Sequence, residues 1–114
     1  MSVKLTSRQV GDVNVLDVAG RITLGEGSSA LRDALRDMVT KNQKKILLNL
    51  ADVSYIDSSG IGELVSGFTT VTNNGGQLKL LNLTKRVKDL LQITKLYTVF
   101  DVHDDEAAAV RSFA

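Results

Sequence analysis

Asp57-Ser58-Ser59-Gly60-Ile61-Gly62 is the stretch of the 114 residues whose types and spacing can do chemistry. An acid stands beside two hydroxyls, between Asp52-Val53-Ser54-Tyr55-Ile56, which leaves an apolar strand, and the first apolar turn of a helix. Such a junction carries backbone N–H groups without intrahelical partners at the positive end of the helix, where hydroxyls cap and anions are stabilised. The pattern also has a plain structural use: either serine can cap the helix, while Gly60 and Gly62 permit a tight approach to neighbours. Hydrolysis is not supported, because a serine nucleophile needs a base and an orienting acid, and neither a Gly-x-Ser-x-Gly elbow nor a companion base is evident.

Alternating apolar and polar residues from Val3 to Val10 and from Val13 to Ala19, separated by Gly11-Asp12, predict a β-hairpin. Gly25-Glu26-Gly27-Ser28-Ser29 breaks the alternation. Leu31, Ala34, Leu35 and Met38 then recur at helical spacing to near Lys41, with Ser28 or Ser29 as the cap. Ile46 to Leu50 is apolar on both faces, as a central strand covered by helices requires. Ile61, Leu64, Val65, Phe68 and Val71 mark a second helix, which Asn73-Asn74-Gly75-Gly76 stops. Gln77 to Leu83 returns to strand, and Thr84 caps a third helix carrying Val87, Leu90, Leu91 and Thr94. A short strand near Val99 to Val102 and a helix from Asp104 to Phe113 complete the chain. Strands joined through helices pair in parallel with right-handed crossovers, so the expected fold class is α/β: one mixed, mostly parallel sheet with an N-terminal antiparallel hairpin and about four helices. A length of 114 residues fits a single domain, 1–114.

Leu48-Asn49-Leu50, Tyr55-Ile56-Asp57-Ser58-Ser59-Gly60-Ile61-Gly62 and Asn74-Gly75-Gly76-Gln77-Leu78-Lys79-Leu80 closely resemble the STAS domains of bacterial anti-sigma factor antagonists. The resemblance extends through Gly20-Arg21-Ile22-Thr23 and Val87 to Leu96, nearly the whole chain, with the Asp-Ser-Ser-Gly block as its most specific part. It implies a STAS fold and a partner-switching function. In that family the unphosphorylated antagonist binds a protein that is both anti-sigma factor and serine kinase, which frees the sigma factor. Phosphorylation of the serine after the aspartate, here Ser58, ends the binding, and a serine phosphatase can reset it. Ser59 matches a position that is only sometimes a second phosphosite. The implied partner-binding residues are Thr23, Asp57, Ser58, Ser59, Gly60, Ile61 and Gly62; no cofactor is implied, since ATP belongs to the kinase. Two positions depart from the pattern: Thr23 stands where many kinase-responsive members carry aspartate, and Lys95 where a glycine is common, a change expected to alter a turn rather than the site. The alternative within the same fold is a scaffold or small-ligand module of a stress-sensing or transport-associated assembly, without sigma-factor control.

The remaining signals point away from other functions. With 14 Lys and Arg against 13 Asp and Glu, no strong field draws the chain to nucleic acid or anionic lipid. Lys44-Lys45 and Lys85-Arg86-Lys88 read as solvated faces, because only 4% of residues are aromatic and none interleaves with them. The absence of cysteine removes thiolate metal sites and disulfides and agrees with a reducing compartment. The start from Met1 to Arg8 alternates instead of carrying an apolar signal core, and no run approaches the about 20 residues that cross a bilayer, so a cytoplasmic protein is expected. His103, the single histidine, is expected to lie exposed before the last helix, where Asp104 or Asp105 caps. Asp101, Asp104, Asp105 and Glu106 lack the spacing of a Ca²⁺ loop and fit the acidic first turn of a helix, so no metal site is expected. Gly25-Glu26-Gly27-Ser28-Ser29 lacks the Lys-Ser/Thr of a nucleotide loop. A binding module rather than an enzyme is the reading that remains.

Overall fold

A computed structural model describes residues 3–113; Met1, Ser2 and Ala114, which belong to the expected unit, lie outside the described residues. The elements run β1 (Val3–Val10), β2 (Val13–Ile22), α1 (Glu26–Thr40), β3 (Lys45–Ile56), α2 (Ser58–Asn73), β4 (Gln77–Leu81), α3 (Lys85–Ile93), a short 3₁₀ turn (Tyr97–Val99), β5 (Val102–His103) and α4 (Glu106–Arg111). The five strands form one sheet in the order β1-β2-β3-β4-β5, with β1 antiparallel to β2 and the other pairs parallel. This is the expected α/β architecture.

The main core lies on one face of the sheet, where Leu16, Val18, Ile46, Leu48 and Leu50 meet Leu31 and Leu35 of α1, Leu64 of α2, and Val87 and Leu91 of α3. The opposite face holds a smaller cluster of Val13, Val15, Leu47 and Leu81, covered by Ala109 of α4 with Val110 and Phe113. Helices on both faces explain why Ile46 to Leu48 is buried without interruption.

Several boundaries move. β3 continues to Ile56 through two irregularities against β2, where Asp17 and Ala19 oppose Asn49 and Asp52, and Gly20 and Arg21 oppose Val53 and Tyr55. Each adds one residue to β3, so the inward side chains Leu50, Val53 and Ile56 recur every third residue instead of every second. α1 starts at Glu26 with Gly25 as N-cap, and neither Ser28 nor Ser29 caps it. Ser28 lies inside the first turn and donates its hydroxyl to the carbonyl of Thr23 at 2.9 Å. β4 ends at Leu81, and β5 is confined to Val102–His103 because the 3₁₀ turn takes up Tyr97–Val99. Thr84 caps α3 by accepting from the Val87 N–H at 3.3 Å, and Asp105, of the two acids considered, caps α4.

α1, α2 and α3 end alike. Asn42, Gly75 and Lys95 hold φ of 62°, 80° and 62°, and the next residue in each case bonds back into the last turn: Gln43 to Met38, Gly76 to Val71, Leu96 to Leu91. The turn at Lys95 is therefore kept, and the lysine carries the strain that glycine avoids. Lys95→Gly should stabilise the fold by about 1 kcal/mol and raise the thermal midpoint by about 4 °C, read by calorimetry.

Arg8 ties the two ends of the chain together. Its guanidinium bonds both carboxylate oxygens of Asp17, at 2.6 and 3.2 Å, and both of Glu106, at 3.0 and 2.5 Å. Asn49 donates to Asp17 at 2.8 Å. Hydrogen bonds from Arg8 hold the carboxyls of Asp17 and Glu106 below their ordinary ranges. A depressed folded-state value stabilises the protein above the unfolded pKa and is lost as pH falls through the folded one. Stability should accordingly decline on acidification below about pH 5. Because the pair is more than a third exposed, solvent screening limits Arg8→Met to a loss of about 1 kcal/mol at neutral pH. That loss should shrink toward pH 3 in urea titrations.

Candidate functional site

The junction between β3 and α2 is built around one carboxylate. Asp57 is the N-cap of α2, and its Oδ1 accepts from the Gly60 N–H at 3.0 Å. Its Oδ2 accepts from the Leu24 N–H at 3.0 Å, across 33 positions of sequence, while its own N–H reaches the carbonyl of Ile22 at 3.3 Å. One side chain thus closes the helix start and fastens the β2–α1 loop to it. Burial pushes the Asp57 carboxyl up, but the N–H groups of Leu24, Gly60, Ser59 and Asp57 more than reverse this and leave it below the ordinary carboxylate range. The group is an anion at neutral pH.

The capping serine of the sequence reading is therefore replaced. A carboxylate accepts charge-assisted bonds and takes the cap, which leaves both serines without that duty. Ser58 is the first residue of α2 and is exposed, and its hydroxyl has no hydrogen-bond partner among the described residues. Ser59 is half-buried.

The two glycines differ. A Cβ on Gly60 would overlap the carbonyl oxygen of Ile22 and crowd the side chains of Ile56 and Ile22, so the close approach predicted there is real. A Cβ on Gly62 would meet nothing within 4 Å, which corrects the same expectation at that position. Ile61, at 3% exposure, faces the core. Gly60 and Ile61 thus support the junction from beneath, while Ser58 and Gly62, one helical turn apart, stand on its outer surface with half-buried Thr23, Asp57 and Ser59 at its margin.

Three features escaped the sequence reading. Leu24 is 80% exposed on the loop that Asp57 holds. Arg21 and Arg86 place their guanidinium carbons 4.8 and 4.5 Å from the centroid of the Tyr55 ring, two residues before Asp57. Arg86 also donates to the carbonyl of Ile56 at 3.4 Å, so it is not merely a solvated charge; Lys85 pairs with Asp89 at 2.7 Å. No local pattern announces the contacts of Arg21 and Arg86, since each joins segments about 30 or more residues apart.

With this geometry in place, the comparison with known proteins is decisive: the family model for the STAS domain matches residues 4–109. The chain belongs to the STAS domain family. Among curated STAS relatives, the anti-sigma-B factor antagonist of Bacillus subtilis is 32% identical over 102 residues, covering 90% of this chain and 92% of that protein. The crystal structure of an anti-sigma factor antagonist from Mycobacterium paratuberculosis superposes with a TM-score of 0.86 at 17% identity, over 97% of this chain and 93% of that one. The Bacillus cell fate determinant SpoIIAA in its phosphorylated form has a TM-score of 0.74 at 18% identity, over 95% of this chain and 97% of that one. At these identities the two structures establish the STAS fold.

Elsewhere on the STAS fold, Asp101, His103 and Ser112 come together in a way that invites comparison with a triad. His103 is a half-buried residue of β5, not an exposed one before α4. Its Nε2 lies 3.0 Å from Asp101 and 3.4 Å from the Ser112 hydroxyl, so a single ring nitrogen faces both groups and cannot relay between them. Ser112 donates to the carbonyl of Ala109 at 2.6 Å and accepts from Lys79 at 2.9 Å, which spends its hydroxyl on closing α4. The acidic residues around it are dispersed as well: Asp101 pairs with Lys79 at 3.0 Å, Asp105 caps α4, and Glu106 pairs with Arg8. Among the described residues no helix is long and apolar enough to cross a membrane.

Proposed function

We propose that this STAS domain is an anti-sigma factor antagonist that works as a phosphorylatable binding switch in the cytoplasm, and not as an enzyme. Unphosphorylated, the whole chain acts as one domain whose surface around Ser58, with Thr23, Asp57, Ser59 and Gly62 beside it, binds an anti-sigma factor with serine kinase activity and frees the sigma factor. Gly60 and Ile61 shape that surface from below. The kinase transfers the γ-phosphoryl group of ATP to the Ser58 oxygen, with ADP leaving and the hydroxyl proton passing to the kinase; a serine phosphatase hydrolyses the phosphoserine to restore the binding form.

The observation that carries this reading is the exposed, unpartnered hydroxyl of Ser58 at the first position of α2. A phosphoserine there brings about −1.5 to −2 charges to the positive end of the α2 dipole, which returns roughly 0.3 to 1 kcal/mol, so the fold tolerates it. Burying the same anion at an interface costs several kcal/mol unless cations meet it, and about 4 kcal/mol is a thousandfold in affinity. The antagonist name of the Bacillus subtilis relative supports the role, and SpoIIAA, which shares the fold, exists in a phosphorylated form.

Incubating the chain with ATP and purified anti-sigma factor kinases of its source organism, followed by peptide mapping in a mass spectrometer, should place one phosphate on Ser58. Ser58→Ala should take up none. Phosphate found only at another residue, or at none with every kinase, defeats the proposal.

A further inference from the structure

Among the described residues, Leu24 is the most exposed of the large apolar side chains, at 80%, against 76% for Ile93 and 39% for Val99. Its setting is what separates it from a stray surface leucine. The carbonyl of Thr23 accepts from both the N–H and the hydroxyl of Ser28, at 3.0 and 2.9 Å, and the N–H of Leu24 is held by Asp57 at 3.0 Å. The backbone on either side of the Thr23–Leu24 peptide is therefore fixed, and the side chain is carried outward on a constrained stem. The carboxylate that holds this stem belongs to the residue immediately before Ser58.

Gly62 adds an independent observation. Glycine within a helix is less stable than alanine, and at Gly62 no neighbour requires it, because a Cβ would stand in open space. The outer face of the first turn of α2 is thus left bare one turn from Ser58. A raised apolar side chain on the loop fastened to Asp57, the residue before Ser58, and a bare helix surface one turn beyond Ser58 give a relief that a protein docking at Ser58 can use.

We propose that Leu24 is the apolar anchor of this surface: it enters an apolar pocket of the anti-sigma factor kinase and selects a partner with such a pocket. The proposal rests on the reading of Ser58 as the switch residue and deepens it. Thr23 offers no charge for recognition, so the loop recognises its partner by burial of an aliphatic side chain. The gain is available at low entropic cost, since the loop is ordered before it binds. A second copy of this chain is the competing occupant.

The test uses the full chain and a panel of purified anti-sigma factor kinases of the source organism, each with ATP for phosphorylation and with ADP for titration calorimetry. With the kinase that modifies Ser58, Leu24→Ser should weaken binding about thirtyfold, as expected for losing one buried leucine. KM for the chain should rise by a similar factor while kcat holds, and the thermal midpoint should not move, because an exposed side chain supports little of the fold. Leu24→Met should return affinity to within about threefold of the original, since the two side chains fill similar volumes. If Ser58 is phosphorylated and Leu24→Ser binds within threefold of the unaltered chain, the anchor is wrong and the switch stands. If no kinase modifies or binds the unaltered chain, both fall. If light scattering finds a dimer that Leu24→Ser dissociates, the residue serves self-association and the proposal is overturned.

Discussion

Ser58→Asp should bind the anti-sigma factor at least about a hundredfold more weakly than Ser58→Ala, because a single carboxylate buried without a partner already costs several kcal/mol. The two variants share a fold in this expectation. Ser58 is exposed and its hydroxyl bonds nothing among the described residues, so neither substitution removes a structural contact. An aspartate at the first helical position even gains about 0.3 to 1 kcal/mol from the helix dipole. Thermal melts of the two proteins should nearly coincide while calorimetric titrations with the kinase separate them. Equal affinities would mean that charge at residue 58 does not govern the encounter, and the switch would have to be sought elsewhere.

The second large effect concerns the glycine two positions on. Gly60→Ala should destabilise the domain by about 3 kcal/mol, lowering its melting temperature by about 12 °C. The added methyl would overlap the carbonyl of Ile22, and that carbonyl cannot step aside freely because it also accepts the Asp57 N–H at 3.3 Å. Gly62→Ala, in the same turn of α2, should do the reverse and raise stability by about 1 kcal/mol, since the methyl is added to open space and alanine favours the helix. Denaturant unfolding of the pair separates a backbone clash from helix propensity. A loss below about 1 kcal/mol for Gly60→Ala would show that β2 and α2 can slide apart more easily than their geometry indicates.

Much of the architecture was legible because it obeys the simple periods. The hairpin follows from the broadly alternating stretches on either side of Gly11-Asp12, and α2 from the spacing of Ile61, Leu64, Phe68 and Val71 together with its stop at Asn74-Gly75. The sequence shows only Ile46 to Leu50 of the 12-residue β3, because its irregularities put Leu50, Val53 and Ile56 three apart, a spacing that resembles neither a strand nor a helix. Ser28 has the type of a cap, but α1 begins at Glu26 and Ser28 spends its hydroxyl on the carbonyl of Thr23. At the site, the Asp-Ser-Ser-Gly block located the helix start, yet the division of labour within it depends on which acceptor reaches which N–H. The bond from Leu24 to Asp57 and the two cations on Tyr55 are matters of tertiary distance, and a linear pattern carries no record of them.

The tie between Arg8 and Glu106 spans 98 positions, and the apolar cover over Val13, Val15, Leu47 and Leu81 comes from Ala109, Val110 and Phe113. A growing polypeptide can therefore assemble the helix-covered side of its sheet well before the other side has anything to lie against. Until Ala109, Val110 and Phe113 emerge from the ribosome, a valine and leucine surface stays wet, the kind that attracts neighbouring nascent chains or a chaperone. Chain termination or proteolytic cleavage before Ala109 would thus leave a protein that still displays Ser58 but is sticky on the reverse.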